Sequence, residues 1–120
     1  MAGQKILIVD DNQDFMKLLE VNLTKRGYQV VTAVNGEEGL KKAEIEKPQL
    51  ILLDIKMPQM DGFTFVRLLK KDEKIQKIPV VVLTGYEPMR DMFKIEGVKD
   101  YFLKTDDMKI LLQAIEKILQ

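Results

Sequence analysis

The chain of 120 residues contains no cysteine and no histidine. Without cysteine, disulfides, thiol catalysis and thiolate metal sites are excluded, and without histidine the commonest general base and zinc ligand are missing. These two absences rule out most hydrolase chemistries. Any reaction at this protein must therefore use carboxylates, hydroxyls, amines or a bound ion.

The sequence also lacks an excess of charge of either sign and lacks long apolar runs. Nineteen basic residues balance nineteen acidic ones, so there is no global field that would draw the protein onto nucleic acid or an anionic membrane. The apolar run at residues 6–9 is shorter than the roughly 7–15 residues of a signal-peptide core. No run approaches the roughly 18 residues that span a bilayer. We therefore expect a cytoplasmic protein with no membrane insertion and no nucleic-acid partner.

Apolar residues make up 46% of the sequence, which is enough to close one core, and we expect a single domain over residues 1–120. Short apolar runs predict five strands, at residues 6–9, 30–33, 50–53, 80–83 and, more weakly, 101–103. Each run is continuous rather than alternating. That pattern is typical of a parallel sheet covered by helices on both faces.

The segments between these runs have helical spacing. The five predicted helices are a first that ends near Gly27, a second over residues 37–47, a third around residues 65–69, a short fourth from near Pro88 and a fifth over residues 108–119. We assign Asp14 to the cap of the first helix. Strands alternating with helices predict an open, doubly wound α/β sheet.

Polar residues follow four of the five runs: Asp10 and Asp11, then Asp54, then Thr84, then Lys104. In an open α/β sheet, ligands bind at the carboxyl ends of the strands, so we expect these side chains to meet. Three crowded carboxylates repel one another and raise one another's pKa. A divalent cation would offset the repulsion. Mg²⁺ suits a site with only oxygen ligands, because it keeps several bound waters and usually also binds a phosphate.

Lys104 and Thr84 stand where they could hold the oxygens of a phosphoryl group beside such an ion. Asp54 would then be the nucleophile that accepts the group, since carboxylates can form acyl phosphates. Taken singly, a strand-end aspartate is more often a helix cap or a turn former, and Thr84 and Lys104 are more often structural or surface residues. Their meeting at one edge of the sheet favours the functional interpretation.

This arrangement resembles the receiver domain of two-component response regulators, and the resemblance covers the whole chain. It includes the turn Met57-Pro58-Gln59-Met60-Asp61-Gly62, the pair Thr84-Gly85 and the segment Asp100-Tyr101-Phe102-Leu103-Lys104. The resemblance implies a flavodoxin-like fold with five strands in the order 2-1-3-4-5 and five helices. It also implies a Mg²⁺ site formed by Asp11, Asp54 and the backbone carbonyl of Lys56, with Asp10 acting through water.

The resemblance further implies that Asp54 accepts a phosphoryl group from a sensor histidine kinase or a phosphotransfer protein. Thr84 and Lys104 would contact that group, and Tyr101 would change rotamer as Thr84 moves. The surface of the fourth helix, fifth strand and fifth helix would then signal to a downstream protein that the sequence does not identify. Such a protein is a signalling domain rather than an enzyme, and it catalyses only its own phosphotransfer and dephosphorylation.

Two positions are expected to control dephosphorylation. The resemblance places Lys56 and Tyr86 beside the path of the attacking water, and neither side chain is suited to orient it. We therefore expect slow self-dephosphorylation.

The sequence departs from the family after Lys104, where Thr105 replaces the usual proline and predicts a trans peptide bond. The interval from Thr84 to Lys104 is about two residues short, which indicates a trimmed fourth helix. We expect a stand-alone regulator because the chain ends directly after the fifth helix, and the sequence leaves open a receiver cut from a longer protein. The alternative is a receiver-like adaptor that is never phosphorylated, which would be marked by a gap among the site residues. The sequence shows no such gap.

Overall fold

The computed structural model describes residues 3–54, 60–84, 98, 100–104 and 107–120, with only the backbone at residues 84, 100 and 101. The strands are β1 Lys5–Val9, β2 Gln29–Ala33, β3 Leu50–Asp54, β4 Val80–Thr84 and β5 Asp100–Leu103. The helices are α1 Gln13–Lys25, α2 Gly36–Glu46, α3 Gly62–Lys71 and the C-terminal helix, Met108–Ile118, which is the predicted fifth helix. The predicted fourth helix, from near Pro88, lies outside the described residues.

All five strands run parallel in one sheet of order β2-β1-β3-β4-β5. The predicted doubly wound α/β fold and its strand order are therefore confirmed. The inner strands β1, β3 and β4 each have four apolar residues of five, as expected where helices cover both faces of a sheet. Within the part of the chain that is described, no helix has the length and apolar character needed to cross a bilayer.

Alternating residues of the strands supply two cores, one on each face of the sheet. On one face, β1 and β3 pack with α2 and α3 through Leu7, Val9, Ile51, Leu53, Ala43, Phe65, Val66 and Leu69. On the other face, they pack with α1 and the C-terminal helix through Ile6, Ile8, Leu50, Leu52, Leu19, Leu23, Leu112 and Ile115. Both cores fix the ends of β1 and β3 side by side.

The ends of two helices differ from the sequence prediction. Asp14 was predicted to cap α1, but the cap is Asn12, whose side chain accepts a hydrogen bond from the Phe15 amide at 3.0 Å. Asp14 lies within the first turn, where its negative charge interacts favourably with the positive end of the helix dipole. The second helix was expected to run to about Lys47, and it ends one residue earlier, because Lys47 takes a left-handed conformation, φ 47°, as the C-cap.

Gly39 allows α2 to lie close against β1. A Cβ atom at this position would stand 2.8 Å from Val9 Cγ2 and 3.0 Å from Phe65 Cε2, and both side chains are fully buried. Neither neighbour can move without disturbing the core. The close approach of α2 to the sheet therefore depends on glycine at position 39.

We predict that Gly39→Ala destabilises the protein by about 1–2 kcal/mol, because overpacking outweighs the gain in helix propensity. The matched control is Gly36→Ala, whose Cβ would have the Met60 side chain as its nearest neighbour, with Sδ at 2.7 Å and Cβ and Cγ at 3.0 Å. Urea unfolding of both variants measures the difference. Equal stability of the two variants would contradict this account of the packing.

Candidate functional site

Three aspartates meet at the carboxyl ends of β1 and β3. The strand register pairs Val9 with Leu53, which brings Asp10 beside Asp54. The carboxylates of Asp10, Asp11 and Asp54 each offer an oxygen, and these oxygens all lie within 4.8 Å of one another. The structure thus brings together the three acids that the sequence places at two strand ends.

Asp10 is fully buried at the centre of this cluster. Its amide donates to the carbonyl of Ala33 at 3.0 Å, and its Oδ1 accepts a hydrogen bond from the Asn12 amide at 2.9 Å. Its Oδ2 is also buried, yet it accepts no hydrogen bond from any described residue. A buried carboxylate oxygen without a hydrogen bond is costly unless a cation lies beside it.

Lys104 supplies one cation. It directly follows β5, and its Nζ lies 2.9 Å from Asp10 Oδ2 and 3.5 Å from Asp54 Oδ1. The contact between Lys104 Nζ and Asp10 Oδ2 is an ion pair that lacks hydrogen-bond geometry. Oδ2 therefore has a nearby positive charge but no hydrogen-bond donor. The side chain is 20% exposed, so the pairs are screened less than those at an open surface.

One ammonium does not neutralise three carboxylates, and the pKa of Asp54 is raised. Burial and, second, the nearby Asp10 carboxylate raise the pKa of Asp54, and Lys104 lowers it by less, so that the pKa stands at about 7. Asp54 is only 6% exposed, so water does little to solvate its charge. In the metal-free site, burial and the neighbouring carboxylate thus favour the protonated form of Asp54.

The donor set fits a hard divalent cation. All three acids offer oxygen ligands, Asp10 and Asp54 are buried, and Asp11 is exposed to solvent and can meet an incoming ion. Oδ2 of Asp10 is a further buried oxygen that accepts no hydrogen bond from the described residues, and besides its ion pair with Lys104 it could face a metal ion or a water bound to that ion. Such a set suits Mg²⁺ better than softer metals, which prefer sulfur or imidazole ligands.

The model of the response regulator receiver domain family matches residues 6–116 of the chain. The chain belongs to this family. Protein PilH of Pseudomonas aeruginosa is 40% identical over 117 residues, which cover 96% of this chain and 97% of PilH. The alkaline phosphatase synthesis transcriptional regulatory protein PhoP of Bacillus subtilis is 38% identical, but the chain spans only 49% of its length.

A solved receiver structure has the same fold. The chemotaxis response regulator CheY4 of Vibrio cholerae superposes with a TM-score of 0.90 at 28% identity, over 98% of this chain and 99% of CheY4. The response regulator TrrA of Thermotoga maritima, in complex with Mg²⁺ and BeF, superposes with a TM-score of 0.87 at 31% identity, over 96% and 98% of the two chains. The receiver fold expected from the sequence is thereby confirmed.

Several predicted site positions lie outside the described residues. These are Lys56, Tyr86, the Lys104–Thr105 peptide bond and the side chains of Thr84 and Tyr101. The backbone of β4 does place residue 84 near the acids, since Asp54 pairs with Leu83 in the sheet register. The roles expected for these positions remain predictions.

Sequence reasoning missed two residues next to the acids. Asn12 both caps α1 and holds Asp10 through its amide, and Phe15 places its ring centroid 4.8 Å from Lys104 Nζ. Asn12 was detectable, since asparagine is a preferred cap directly before a helix. No sequence pattern indicated Phe15, because its contact depends on how α1 and β5 come together.

We predict that Asp54→Asn stabilises the metal-free receiver domain near pH 8 by about 2–4 kcal/mol and does so less as the pH falls. The folded-state pKa of Asp54 is raised above its ordinary 3.8, so its contribution to stability is fully present below about pH 4. That contribution is lost as the pH rises through about 7. Asp54→Asn does not lose stability in this way, because asparagine does not ionise.

Urea unfolding at several pH values in the presence of a chelator measures this difference. Asp14→Asn, at an exposed position on α1, is the control for the substitution itself. If the difference between Asp54→Asn and the unsubstituted chain is the same at pH 4 and pH 8, the electrostatic account of the site is wrong.

Proposed function

We propose that this receiver domain accepts a phosphoryl group on Asp54 from the phosphohistidine of a sensor histidine kinase or a phosphotransfer protein. The observation that carries the proposal is the meeting of three carboxylates and one ammonium at the ends of β1, β3 and β5. A structural role alone does not account for a buried acid cluster whose members repel one another.

Asp10, Asp11 and Asp54 would hold Mg²⁺, together with the backbone carbonyl of Lys56 that the family resemblance implies. When bound, the ion supplies positive charge that offsets the carboxylates and the oxygens of the phosphoryl group. Support for this choice comes from the oxygen-only donor set and from TrrA, which was solved in complex with Mg²⁺ and BeF.

Asp54 is the proposed nucleophile. One of its carboxylate oxygens forms a bond to phosphorus while the P–N bond of the donor phosphohistidine breaks, and the imidazole nitrogen keeps the electron pair. Only ionised Asp54 can attack, and its pKa of about 7 in the metal-free site leaves part of the population protonated. Positive charge near Asp54 favours the reactive form.

Lys104 is placed to interact first with the Asp54 carboxylate and then with the oxygens of the transferred phosphoryl group. In the metal-free site its ammonium contacts Asp10 and Asp54, and the oxygens of a phosphoryl group on Asp54 would lie within reach of the same ammonium. Cations aimed at these oxygens stabilise the transition state for phosphoryl transfer. Thr84 would donate its hydroxyl to the same group.

The signal would leave the domain through its β5 side. We propose that Thr84 moves toward the phosphoryl group, that Tyr101 changes rotamer, and that the surface formed by the fourth helix, β5 and the C-terminal helix then binds a downstream protein. Lys56 and Tyr86 would slow hydrolysis. In this proposal residues 1–120 act as one cytoplasmic receiver domain, and PilH is a relative that it matches over nearly its full length.

We predict that the chain gains the mass of one phosphoryl group when it is incubated with acetyl phosphate and Mg²⁺, and that Asp54→Asn gains none. The reason is that asparagine keeps the shape of the side chain but removes the nucleophile. Intact-mass spectrometry measures the gain. Asp61→Asn is a control, because Asp61 caps α3 and is not among the clustered acids.

Two results would contradict the assignment. A phosphoryl group on Asp54→Asn would show that another residue accepts it. No gain on the unsubstituted chain would favour the adaptor that is never phosphorylated.

A further inference from the structure

The Lys104 side chain has a third neighbour besides its two carboxylates. Its Nζ lies over the ring of Phe15, 4.8 Å from the ring centroid. A cation within about 6 Å of an aromatic face is attracted by the negative charge density of that face. The ammonium thus sits among Asp10, Asp54 and a ring from the first turn of α1.

We infer that Phe15 is a positioning residue that holds Lys104 in place for phosphoryl transfer to Asp54. The inference rests on the function proposed above. Phe15 does not contact the reacting atoms in this role. It acts through the ammonium, whose location it restricts.

Phe15 is itself held by the loop that carries the acids. The Asn12 side chain accepts a hydrogen bond from the Phe15 amide, and the Asn12 amide donates to Asp10 Oδ1. The ring is partly buried and packs against the core formed by α1, the sheet and the C-terminal helix. The position of the ring is therefore tied to that of Asp10.

The contact with Phe15 is the one that the reaction leaves unchanged. During transfer an oxygen of Asp54 becomes bonded to phosphorus, and Asp10 would face a metal ion, so both carboxylates become weaker partners for the ammonium. The phenyl ring carries no charge and does not titrate. A long lysine side chain loses considerable rotamer freedom when it is ordered, and a ring that already restricts it reduces that loss during the reaction.

Leucine and tyrosine at position 15 separate this role from simple packing. Phe15→Leu keeps an apolar side chain but removes the aromatic face, whereas Phe15→Tyr keeps the face. Leu18→Ala is the matched control on the same helix, since Leu18 is 51% exposed and has no assigned role in the site.

The first measurement is the rate of Asp54 phosphorylation as a function of acetyl phosphate concentration with Mg²⁺ present. We expect Phe15→Leu to lower the maximal rate by about threefold to thirtyfold, with a smaller effect on the half-saturating concentration. Phe15→Tyr should retain the rate to within about twofold, and Leu18→Ala should not change it.

The second measurement does not depend on activity. NMR of the chain with ¹³C-labelled lysine reports the ring current of Phe15 on the end of the Lys104 side chain, with and without Mg²⁺. We expect an upfield displacement in the unsubstituted chain and in Phe15→Tyr, and its loss in Phe15→Leu. Lys104→Arg identifies the signal.

The outcomes separate this inference from the proposed function. An unsubstituted chain that is phosphorylated, together with a Phe15→Leu variant that reacts equally fast, overturns the inference and leaves the function intact. Equal losses in Phe15→Leu and Phe15→Tyr also overturn it, because they indicate packing alone. An unsubstituted chain that is never phosphorylated overturns both.

Discussion

The repulsion among Asp10, Asp11 and Asp54 is the constraint on which the rest of the site depends. Their oxygens lie within 4.8 Å of one another and two of the three residues are buried, so the cluster persists only because the fold enforces it. The two packed faces of the sheet hold β1 and β3 in register, and that register sets the separation of the acids. Packing of the two cores thus outweighs the electrostatic cost of crowding the three acids.

The same constraint explains the neighbours of the acids. Asn12 satisfies one oxygen of Asp10, Lys104 approaches the other, and Phe15 lies beneath the ammonium. The contacts with Asn12 and Lys104 hold the Asp10 carboxylate in place against repulsion from the neighbouring acids. The contact with Phe15 restricts the Lys104 ammonium. In the function proposed above, a site built in this way would accept a cation and a phosphoryl group with little rearrangement, which is the condition for electrostatic stabilisation of a transition state.

The parallel sheet and the position of the acids could be predicted from the residues, and the strand order from the family resemblance, whereas the details around the acids could not. Continuous apolar runs fix buried parallel strands, and residues that directly follow such runs must lie at one edge, so Asp10 and Asp54 could be placed without coordinates. The cap of α1 was assigned to Asp14 instead of Asn12 because several polar residues compete for that position. The contact between Phe15 and Lys104 joins residues 89 positions apart, and it depends on packing that apolar periodicity does not specify.

The central claim is that a crowded, buried Asp54 is made reactive by positive charge. The most direct test is a ¹³C NMR titration of the Asp54 carboxyl, assigned with Asp54→Asn, in a chelator and in saturating Mg²⁺. The account predicts a pKa of about 7 without metal and a clearly lower pKa with Mg²⁺, because the ion competes with the proton for the carboxylate. A metal-free pKa near the ordinary 3.8, or a raised pKa that Mg²⁺ does not change, would contradict it.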